Sequence, residues 1–316
     1  MAAPLWPIDP PVFTGAVEPY GLFSAARLIE NVTGPALGGV QYPYHCYPVT
    51  DTWPGPCADN GPQPGDQKNL PNGMDLVQSH SFAAYAFETC PLVGYSEAQL
   101  EALAEDSLRR TEQHQVERAV WFGRGDFIGL TQRTDVTVLS ATPVSPVDAL
   151  ALAEWWLGRA DGTGIIHVNA VAATPFRAAD AIWRDGLVWR STMGHAMSFG
   201  GGYGLTGPAG AAAPAGAAWM FITRDVVIRR SIIRTVSGLR PQSNEHDSRA
   251  ERIYVPTIPC PIAAVPVQVL SDGVAIPDLD PAFSLAVAPE QGLAPLTVTA
   301  VVTGEQGPVD ITWGTA

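Results

Sequence analysis

Residues 96–122 read SEAQLEALAEDSLRRTEQHQVERAVWF, and this stretch decides the fold class. The Ser96 hydroxyl can cap a helix and Gln99 stands at the capping-box position, so we predict a helix from Ser96 to about Phe122. Such a helix would be about 36–40 Å long. Its apolar stripe consists of Leu100, Leu103, Leu108, Val116, Ala119 and Val120. The charged residues predicted to face elsewhere are Glu97, Glu101, Glu105, Arg109, Arg110, Glu112 and Arg118.

Around this helix the sequence predicts an α+β body. Further helices are predicted at 22–30, at 145–158 and at 174–186, the last two with a proline at the first helical position. Runs of β-branched and aromatic residues predict strands at 79–93, 165–169, 187–190, 219–223, 226–230, 252–257 and 263–270. A small-residue stretch at 208–218 predicts a surface loop.

The two ends of the chain differ from this body. Residues 1–75 are rich in Pro and Gly with little periodicity, so we predict an arm that lies across a neighbouring subunit, and we expect residues 1–40 to add little to a core. Residues 281–316 show alternating strands at 283–287, 296–302 and 309–313, a pattern typical of part of an immunoglobulin-like or polycystic-kidney-disease-like domain. Three strands are fewer than half of such a sandwich.

The composition leaves surface for contact with other protein. The chain has 316 residues, of which 46% are hydrophobic and nine are Trp, enough for a cooperative core. Only 16% are charged, fewer than a protein that stands alone in water usually carries. We therefore expect much of the surface to meet other protein molecules.

Charge and targeting signals narrow the function classes. The net charge is −13 and Lys68 is the only lysine, so tight binding to nucleic acid is not expected. The chain has no signal-peptide pattern and no run of about 18 apolar residues, which predicts a cytoplasmic protein without a membrane span. The four cysteines lack metal-site spacing and are predicted to be reduced thiols: Cys46, Cys57, Cys90 and Cys260.

The histidines do not form a recognisable catalytic pattern. Residues 194–198 contain His195 and Ser198 but lack the spacing of a nucleophile elbow, so His195 is predicted to be a satisfied structural residue. His167 lies in an apolar strand and is predicted to be hydrogen-bonded in the core. His45 beside Cys46 has no second ligand pair. We predict no catalytic, cofactor-binding or metal-binding residues and no cofactor.

Other polar and aromatic motifs have structural interpretations. The glycine run 200–204 lacks a P-loop ending and is predicted to be a flexible turn, and residues 245–247 (Glu-His-Asp) are predicted to be a solvated loop. Several tryptophans would suit a sugar platform, but at helix and strand positions they are predicted to be core or interface anchors: Trp155, Trp156, Trp183, Trp189 and Trp219.

Four stretches, taken in order, resemble the major capsid proteins of tailed phages that infect actinobacteria. The stretches are YGLF at 20–23 with GGVQY at 38–42 and the later Cys46 and Cys57; CPLVGY at 90–95 leading into EQ at 112–113 and VERAVW at 116–121; GIIH at 164–167 with GL at 186–187, TMG at 192–194 and GY at 202–203; and AERIY at 250–254. Together they cover about residues 20–270. The resemblance rests on their order.

The resemblance implies the Hong Kong 97-type fold, which is shared with encapsulins. It implies an N-terminal arm and the start of an extended loop (1–75), then a capsid body (76–280). Within the body it implies a spine helix (about 96–122), a peripheral domain, an axial domain (about 145–250) and returning strands (about 251–272). An outer immunoglobulin-like extension (281–316) would follow. A lysine–asparagine cross-link, known in some relatives, would have only Lys68 as its lysine, and we do not predict it.

The same resemblance implies a structural role without enzymatic activity. Copies would form hexamers and pentamers of a phage head shell, made in the host cytoplasm, that encloses double-stranded DNA. Partners would be a portal and decoration or scaffolding proteins, with no membrane. Three alternatives remain open: an encapsulin-type nanocompartment, a phage tail or decoration protein, and a carbohydrate-active enzyme with a β-module, which needs paired acidic residues.

Overall fold

The computed structural model describes residues 19–43, 76–91, 95–159, 162–240, 245–270, 300–302 and 309–311. The chain divides into two compact units, Met1–Val274 and Ala275–Ala316. The described helices of the first unit are α1 Leu22–Ala25, α2 Glu97–Phe122, α3 Pro146–Arg159 and α4 Ala173–Ala178. Its strands are β1 Arg27–Ile29, β2 Gly39–Pro43, β3 Leu76–His80, β4 Phe82–Pro91, β5 Val136–Val138, β6 Gly164–Asn169, β7 Ile182–Asp185, β8 Val188–Ser191, β9 Ala196–Gly200, β10 Ala217–Arg224, β11 Val227–Arg230, β12 Arg234–Arg240, β13 Glu245–Thr257 and β14 Ile262–Gln268.

Helix α2, called the spine helix from here on, confirms the central prediction. The Ser96 hydroxyl accepts a hydrogen bond from the Gln99 amide at 3.3 Å, and the Gln99 side chain accepts one from the Ser96 amide at 2.9 Å. The two bonds satisfy amides that a helix N-terminus leaves without partners. The prediction that Glu112 faces away from the apolar stripe is wrong, because Glu112 is only 3% exposed. Glu117, on the same helix, is fully buried.

The first sheet packs against one side of the spine helix. Its long strand β13 pairs antiparallel with β4 along one edge and with β12 and then β11 along the other, and β1 pairs parallel with β11. The spine helix contacts β4, β13 and β12. Side chains facing the helix bind it directly, since Ser107 donates to Glu88 at 2.6 Å and Ser237 donates to Glu101 at 2.5 Å.

The second sheet has seven strands in the order β5-β14-β10-β6-β9-β8-β7. Its central strands β6, β10 and β14 are buried at every residue but the last, as expected of strands covered on both faces. Helix α3 packs on β14 and β10 and also contacts α4. A buried aromatic cluster joins this sheet to the spine helix, because the Trp121 ring lies 5.0 Å from Tyr203 and 4.9 Å from Phe221 between ring centroids.

The N-terminal segment contributes to the core, contrary to the expectation for residues 1–40. Leu22 is fully buried and Phe23 is 7% exposed, and the Phe23 ring stacks on Tyr254 with centroids 6.3 Å apart. Burial of side chains this large stabilises a fold by about 1.5–3 kcal/mol each. The predicted helix 22–30 ends at Ala25, because the following residues pair with β11 as β1.

Further boundaries differ from the predictions where tertiary pairing overrides local pattern. The predicted helix 174–186 stops at Ala178, because Asp180 adopts a left-handed conformation and β7 pairs with β8 around Gly186. The predicted strand 79–93 is two strands, β3 and β4. The predicted polar loop 245–247 is the start of β13, where Asp247 accepts a hydrogen bond from Thr89 at 2.9 Å.

Several strands without a clear sequence signal appear in the structure. They are β2, β5, β7, β9 and β12. The strands predicted at 165–169, 187–190, 219–223, 226–230, 252–257 and 263–270 correspond to β6, β8, β10, β11, β13 and β14, and the helix predicted at 145–158 corresponds to α3.

In the second unit the described residues form one antiparallel pair. Strand β15, Ala300–Val302, pairs with β16, Val309–Ile311. These strands fall within two of the three predicted at this end, and the third, 283–287, lies outside the described residues. One strand pair does not amount to an immunoglobulin-like domain.

Replacement of the capping serine tests the origin of the spine helix. We expect Ser96→Ala to lower the free energy of unfolding by about 1 kcal/mol, because the Gln99 amide loses the Ser96 hydroxyl as its side-chain acceptor. Urea denaturation followed by circular dichroism measures this change. Ser96→Asp keeps an acceptor at the cap and should restore most of the loss, and equal stability of all three proteins would contradict the role of the cap.

Candidate assembly surface

A buried ionic cluster anchors the spine helix to the first sheet and to the N-terminal segment. Glu112 accepts hydrogen bonds from Arg230 at 3.0 Å, from Arg252 at 3.1 Å and from the Tyr254 hydroxyl. Arg230 also binds both carboxylate oxygens of Glu30, through its Nε at 2.9 and 2.8 Å. The hydrogen bond from Arg230 lowers the pKa of Glu30 below its ordinary value. The cluster therefore joins four elements through charge-assisted bonds.

Removal of the central carboxylate should be costly. Glu112→Ala leaves two arginines without their buried partner, and we expect a loss of about 3–5 kcal/mol in the free energy of unfolding. Chemical denaturation measures this loss. Glu105→Ala, which removes a more exposed carboxylate of the same helix, serves as the control and should change stability by less than about 1 kcal/mol. Comparable losses in both variants would show that the buried cluster stabilises the fold no more than an exposed carboxylate does.

His167 is a structural residue in the core of the second sheet. His167 is fully buried, with Nδ1 3.0 Å from the Tyr203 hydroxyl and Nε2 2.9 Å from the Thr223 hydroxyl, which confirms the predicted core histidine. Ser198 bonds the same Tyr203 hydroxyl at 2.8 Å, so it forms no dyad with His195. Burial raises the pKa of Tyr203 and lowers the pKa of His167 to about 3. The hydrogen-bonded side chains of this network are therefore uncharged and buried.

His195 departs from its prediction. Its Nδ1 is buried and has no hydrogen-bond partner among the described residues, so it is not the satisfied histidine that was predicted. Burial lowers its pKa. The prediction that Cys260 is a reduced thiol is also wrong, because Cys260 forms a disulfide bond. His45, Cys46, Cys57 and Lys68 lie outside the described residues.

The glycine run after β9 packs closely against the spine helix. A Cβ at Gly202 would lie 2.2 Å from the His114 carbonyl oxygen, and one at Gly204 would lie 2.2 Å from the Phe122 ring. The predicted flexible turn is therefore a packed contact that only glycine permits. Within the part of the chain that the structure describes, no cluster of His, Cys, Asp or Glu is arranged to hold a metal ion.

An open groove lies between β2, β3 and residues 126–135, and two acidic residues line it. Asp126 and Asp135 line it together with Tyr42 and Phe127. Both oxygens of Asp135 accept hydrogen bonds from Arg133, at 2.8 and 2.6 Å, which lowers the pKa of this carboxyl. A glycosidase acid needs a raised pKa. The groove therefore offers Asp126 as its one carboxylate without such an arginine.

The face of the first sheet turned away from the spine helix carries apolar side chains in solvent. Phe87 on β4, Arg249 on β13 and Val236 on β12 lie side by side in one row across the three strands. Tyr85 is two residues before Phe87, and these two rings are 54% and 58% exposed. Gly238 leaves open space beside them. We call this surface, formed by Tyr85, Phe87, Val236, Gly238 and Arg249, the outer sheet face.

A second apolar surface lies on α3. Leu150, Ala153 and Leu157 point into the second sheet, and the opposite side of the helix carries Val147, Ala151 and Trp155 at successive turns. Trp155 is 55% exposed, and the Arg159 guanidinium lies 5.2 Å from its ring centroid. A helix that is apolar on both sides is typical of a buried position. We call Val147, Ala151 and Trp155 the α3 stripe.

The tryptophans divide between core and surface. Trp156 and Trp219 are each 8% exposed, whereas Trp155 and Trp183 are about half exposed. Trp189 lies beside Tyr20, with ring centroids 5.8 Å apart. These five tryptophans lie on α3, β7, β8 and β10 and do not share one surface. Their positions agree better with separate core and interface anchors than with a sugar platform.

The lowered pKa of His167 predicts how the free energy of unfolding depends on pH. In the unfolded chain a histidine has a pKa near 6.5, so between about pH 6.5 and 3 the unfolded state binds a proton that the folded state does not. We expect stability to fall with decreasing pH across this window by about 1.4 kcal/mol per pH unit from this residue. His167→Gln should flatten the slope in denaturation measured from pH 7 to 4. His114→Gln, on the exposed side of the spine helix, is the control, and an identical slope in wild type and His167→Gln would contradict the assignment.

Comparison with known proteins supports the fold. No family model matches the sequence, and no curated protein matches it. Among solved structures, the capsid of an empty GTA particle computed with C5 symmetry has a TM-score of 0.56 at 13% identity, covering 83% of this chain and 95% of that chain. The capsid of a native GTA particle has a TM-score of 0.51 at 13% identity, with the same coverage. A chain of Mycobacterium phage Adephagia has a TM-score of 0.43 at 14% identity, covering 79% of this chain and 91% of that chain.

The two similarities with TM-scores above 0.5 show a capsid-like fold. The α+β body with its two large sheets is arranged as in the GTA capsid chains over most of both molecules. None of the helices in the described ranges combines the length and apolar character needed to cross a membrane.

Proposed function

We propose that this protein is the structural subunit of a phage-type capsid shell with the Hong Kong 97-type fold. One observation carries the proposal, the agreement with the GTA capsid chain over 95% of that chain. The outer sheet face and the α3 stripe add a physical reason, because large apolar side chains in solvent gain free energy when a second molecule covers them.

We further propose which elements would take the parts of that fold type. The spine helix Glu97–Phe122 would be its long helix, the first sheet would belong to a peripheral domain and the seven-stranded sheet to an axial domain. Strands β2 and β3 pair antiparallel, and in this proposal they would form the base of the extended loop. The arm boundary at 75 and the body boundary at 280 remain proposals, as does an immunoglobulin-like extension at 281–316.

The proposed location is the head of a virion, with the protein made in the host cytoplasm. The shell would be built from hexamers and pentamers and would enclose double-stranded DNA without sequence-specific binding, in keeping with the net charge of −13. Portal, scaffolding and decoration proteins are the proposed partners, and no enzymatic activity or cofactor is proposed.

An encapsulin-type nanocompartment is the nearest alternative, because it uses the same fold. The contents of purified particles distinguish the two, since nucleic acid supports the phage shell and a protein cargo supports the nanocompartment. A tail protein built only of strands does not fit the 26-residue spine helix. The carbohydrate-active alternative also requires a protonated acid with a raised pKa, and Asp135, bound by Arg133, does not supply it.

Assembly of the purified full chain tests the proposal. We expect particles of megadalton mass by light scattering, with the protein alone or with phage assembly factors. Phe87→Asp and Trp155→Asp should fold normally, because both sites are exposed, but each would bury a charge at a subunit contact. Burial of an unpaired charge costs several kcal/mol, so we expect assembly to weaken at least about tenfold.

The matched control is Ala209→Asp, which adds the same charge on an exposed turn and should assemble like the wild type. Normal assembly of Phe87→Asp and Trp155→Asp would exclude the two apolar surfaces as contacts. A wild-type protein that stays monomeric even with assembly factors would refute the shell function.

A further inference from the structure

One buried carboxylate binds two segments that are far apart in the chain. Glu117 on the spine helix accepts a hydrogen bond from the Leu22 amide at 2.9 Å through Oε1 and from the Gly202 amide at 3.0 Å through Oε2. Gln113, one turn earlier, donates to the same Oε1 at 3.1 Å. Glu117 is fully buried. Such bonds between a carboxylate and backbone amides are strong in a water-free site.

Both segments approach so closely that side chains are excluded. A Cβ at Gly21 would lie 2.4 Å from Glu117 Oε1 and 1.8 Å from Gln113 Nε2. A Cβ at Gly202 would lie 2.9 Å from the Glu117 Cβ. Glycine therefore stands where each segment meets the carboxylate, which identifies the contact as a specific fit of backbone against Glu117.

The same N-terminal segment is also held by the second sheet. The Tyr20 carbonyl accepts a hydrogen bond from the Phe199 amide at 2.9 Å, and the Tyr20 ring lies 5.0 Å from the Arg184 guanidinium. Tyr20 adopts a left-handed conformation with φ of 77°, which is uncommon for a residue with a side chain. Residues 20–22 are thus held by the spine helix on one side and by β7 and β9 on the other.

We propose that Glu117 is a positioning residue for assembly. It couples residues 20–22 to the turn at 200–204, so that the N-terminal segment and the second sheet keep one orientation relative to the spine helix. This orientation sets the geometry at which copies of the chain join. The coupling follows from the contacts within one molecule, whereas its effect on assembly rests on the proposed shell function.

The chemistry of the site explains why the carboxylate is needed. Two backbone amides on opposite oxygens require two acceptors, and a carboxylate supplies both. Glu117→Gln keeps the shape and one acceptor, but it presents an NH₂ group to one of the two amides. That amide becomes a buried donor without a partner, and its segment loses its attachment to the helix.

Amide hydrogen exchange in the folded full chain tests the coupling. In Glu117→Gln we expect the amides of Leu22 and Gly202 to exchange at least about tenfold faster than in the wild type. Gly202→Ala, which strains only one side of the junction, should also accelerate exchange at Leu22. The control Glu105→Gln makes the same charge change on the same helix and should leave both rates unchanged. Wild-type rates at Leu22 in both Glu117→Gln and Gly202→Ala would overturn the coupling.

Particle diameters measured by electron microscopy test the effect on assembly. We expect Glu117→Gln particles to show a broader or shifted diameter distribution than wild-type particles. Ile166→Val, a mild truncation in the core of the second sheet, is the comparison for general destabilisation and should reduce only the yield. Wild-type diameters in Glu117→Gln, with a yield loss like that of Ile166→Val, would overturn the positioning role.

A second variant covers the case in which Glu117→Gln does not fold. Tyr20→Ala leaves the carboxylate intact and loosens the other side of the same junction, so it should accelerate exchange at Leu22 and broaden the diameters. If it does neither, the inference is wrong. If the wild type forms no particles while the exchange results hold, the shell proposal fails and the intramolecular coupling stands.

Discussion

Two carboxylates buried on the spine helix, Glu112 and Glu117, are the constraint on which the rest of the structure depends. A buried charge is tolerated only where donors surround it, so each carboxylate requires partners that the helix itself does not supply. Glu112 takes them from β11 and β13, and Glu117 takes them from Leu22 and Gly202. The helix thereby fixes the first sheet, the N-terminal segment and the second sheet relative to itself. Apolar packing around Trp121 and Tyr254 fills the space between these polar anchors.

The interior and the surface of the molecule play different roles. Polar groups inside are used to orient elements, as in the chain from Thr223 through His167 to Tyr203 and Ser198. Apolar side chains remain exposed to solvent on the outer sheet face and on the α3 stripe. A subunit that is internally well fixed and externally apolar suits an assembly in which the same two surfaces are used many times.

The sequence allowed the spine helix and six strands to be predicted, because their signals are local. The Ser96–Gln99 cap and the β-branched runs of β6, β10 and β14 act over a few residues and leave their pattern in the chain. The helix predicted at 174–186 failed because pairing of β7 with β8 is decided by residues beyond the window. Glu112 and Glu117 were not identified as buried, since a glutamate in a helix ordinarily faces water. The glycines at 21 and 202 were the available signal, but their meaning appears only when the helix is placed beside them.

Image reconstruction of the assembled particle by cryo-electron microscopy is the most direct test of the central claim. The account predicts a closed shell of repeated subunits in which the 26-residue helix is visible in each copy and in which Phe87 and Trp155 are covered by neighbouring molecules. An isolated compact molecule would contradict it, as would a particle in which both side chains remain in solvent.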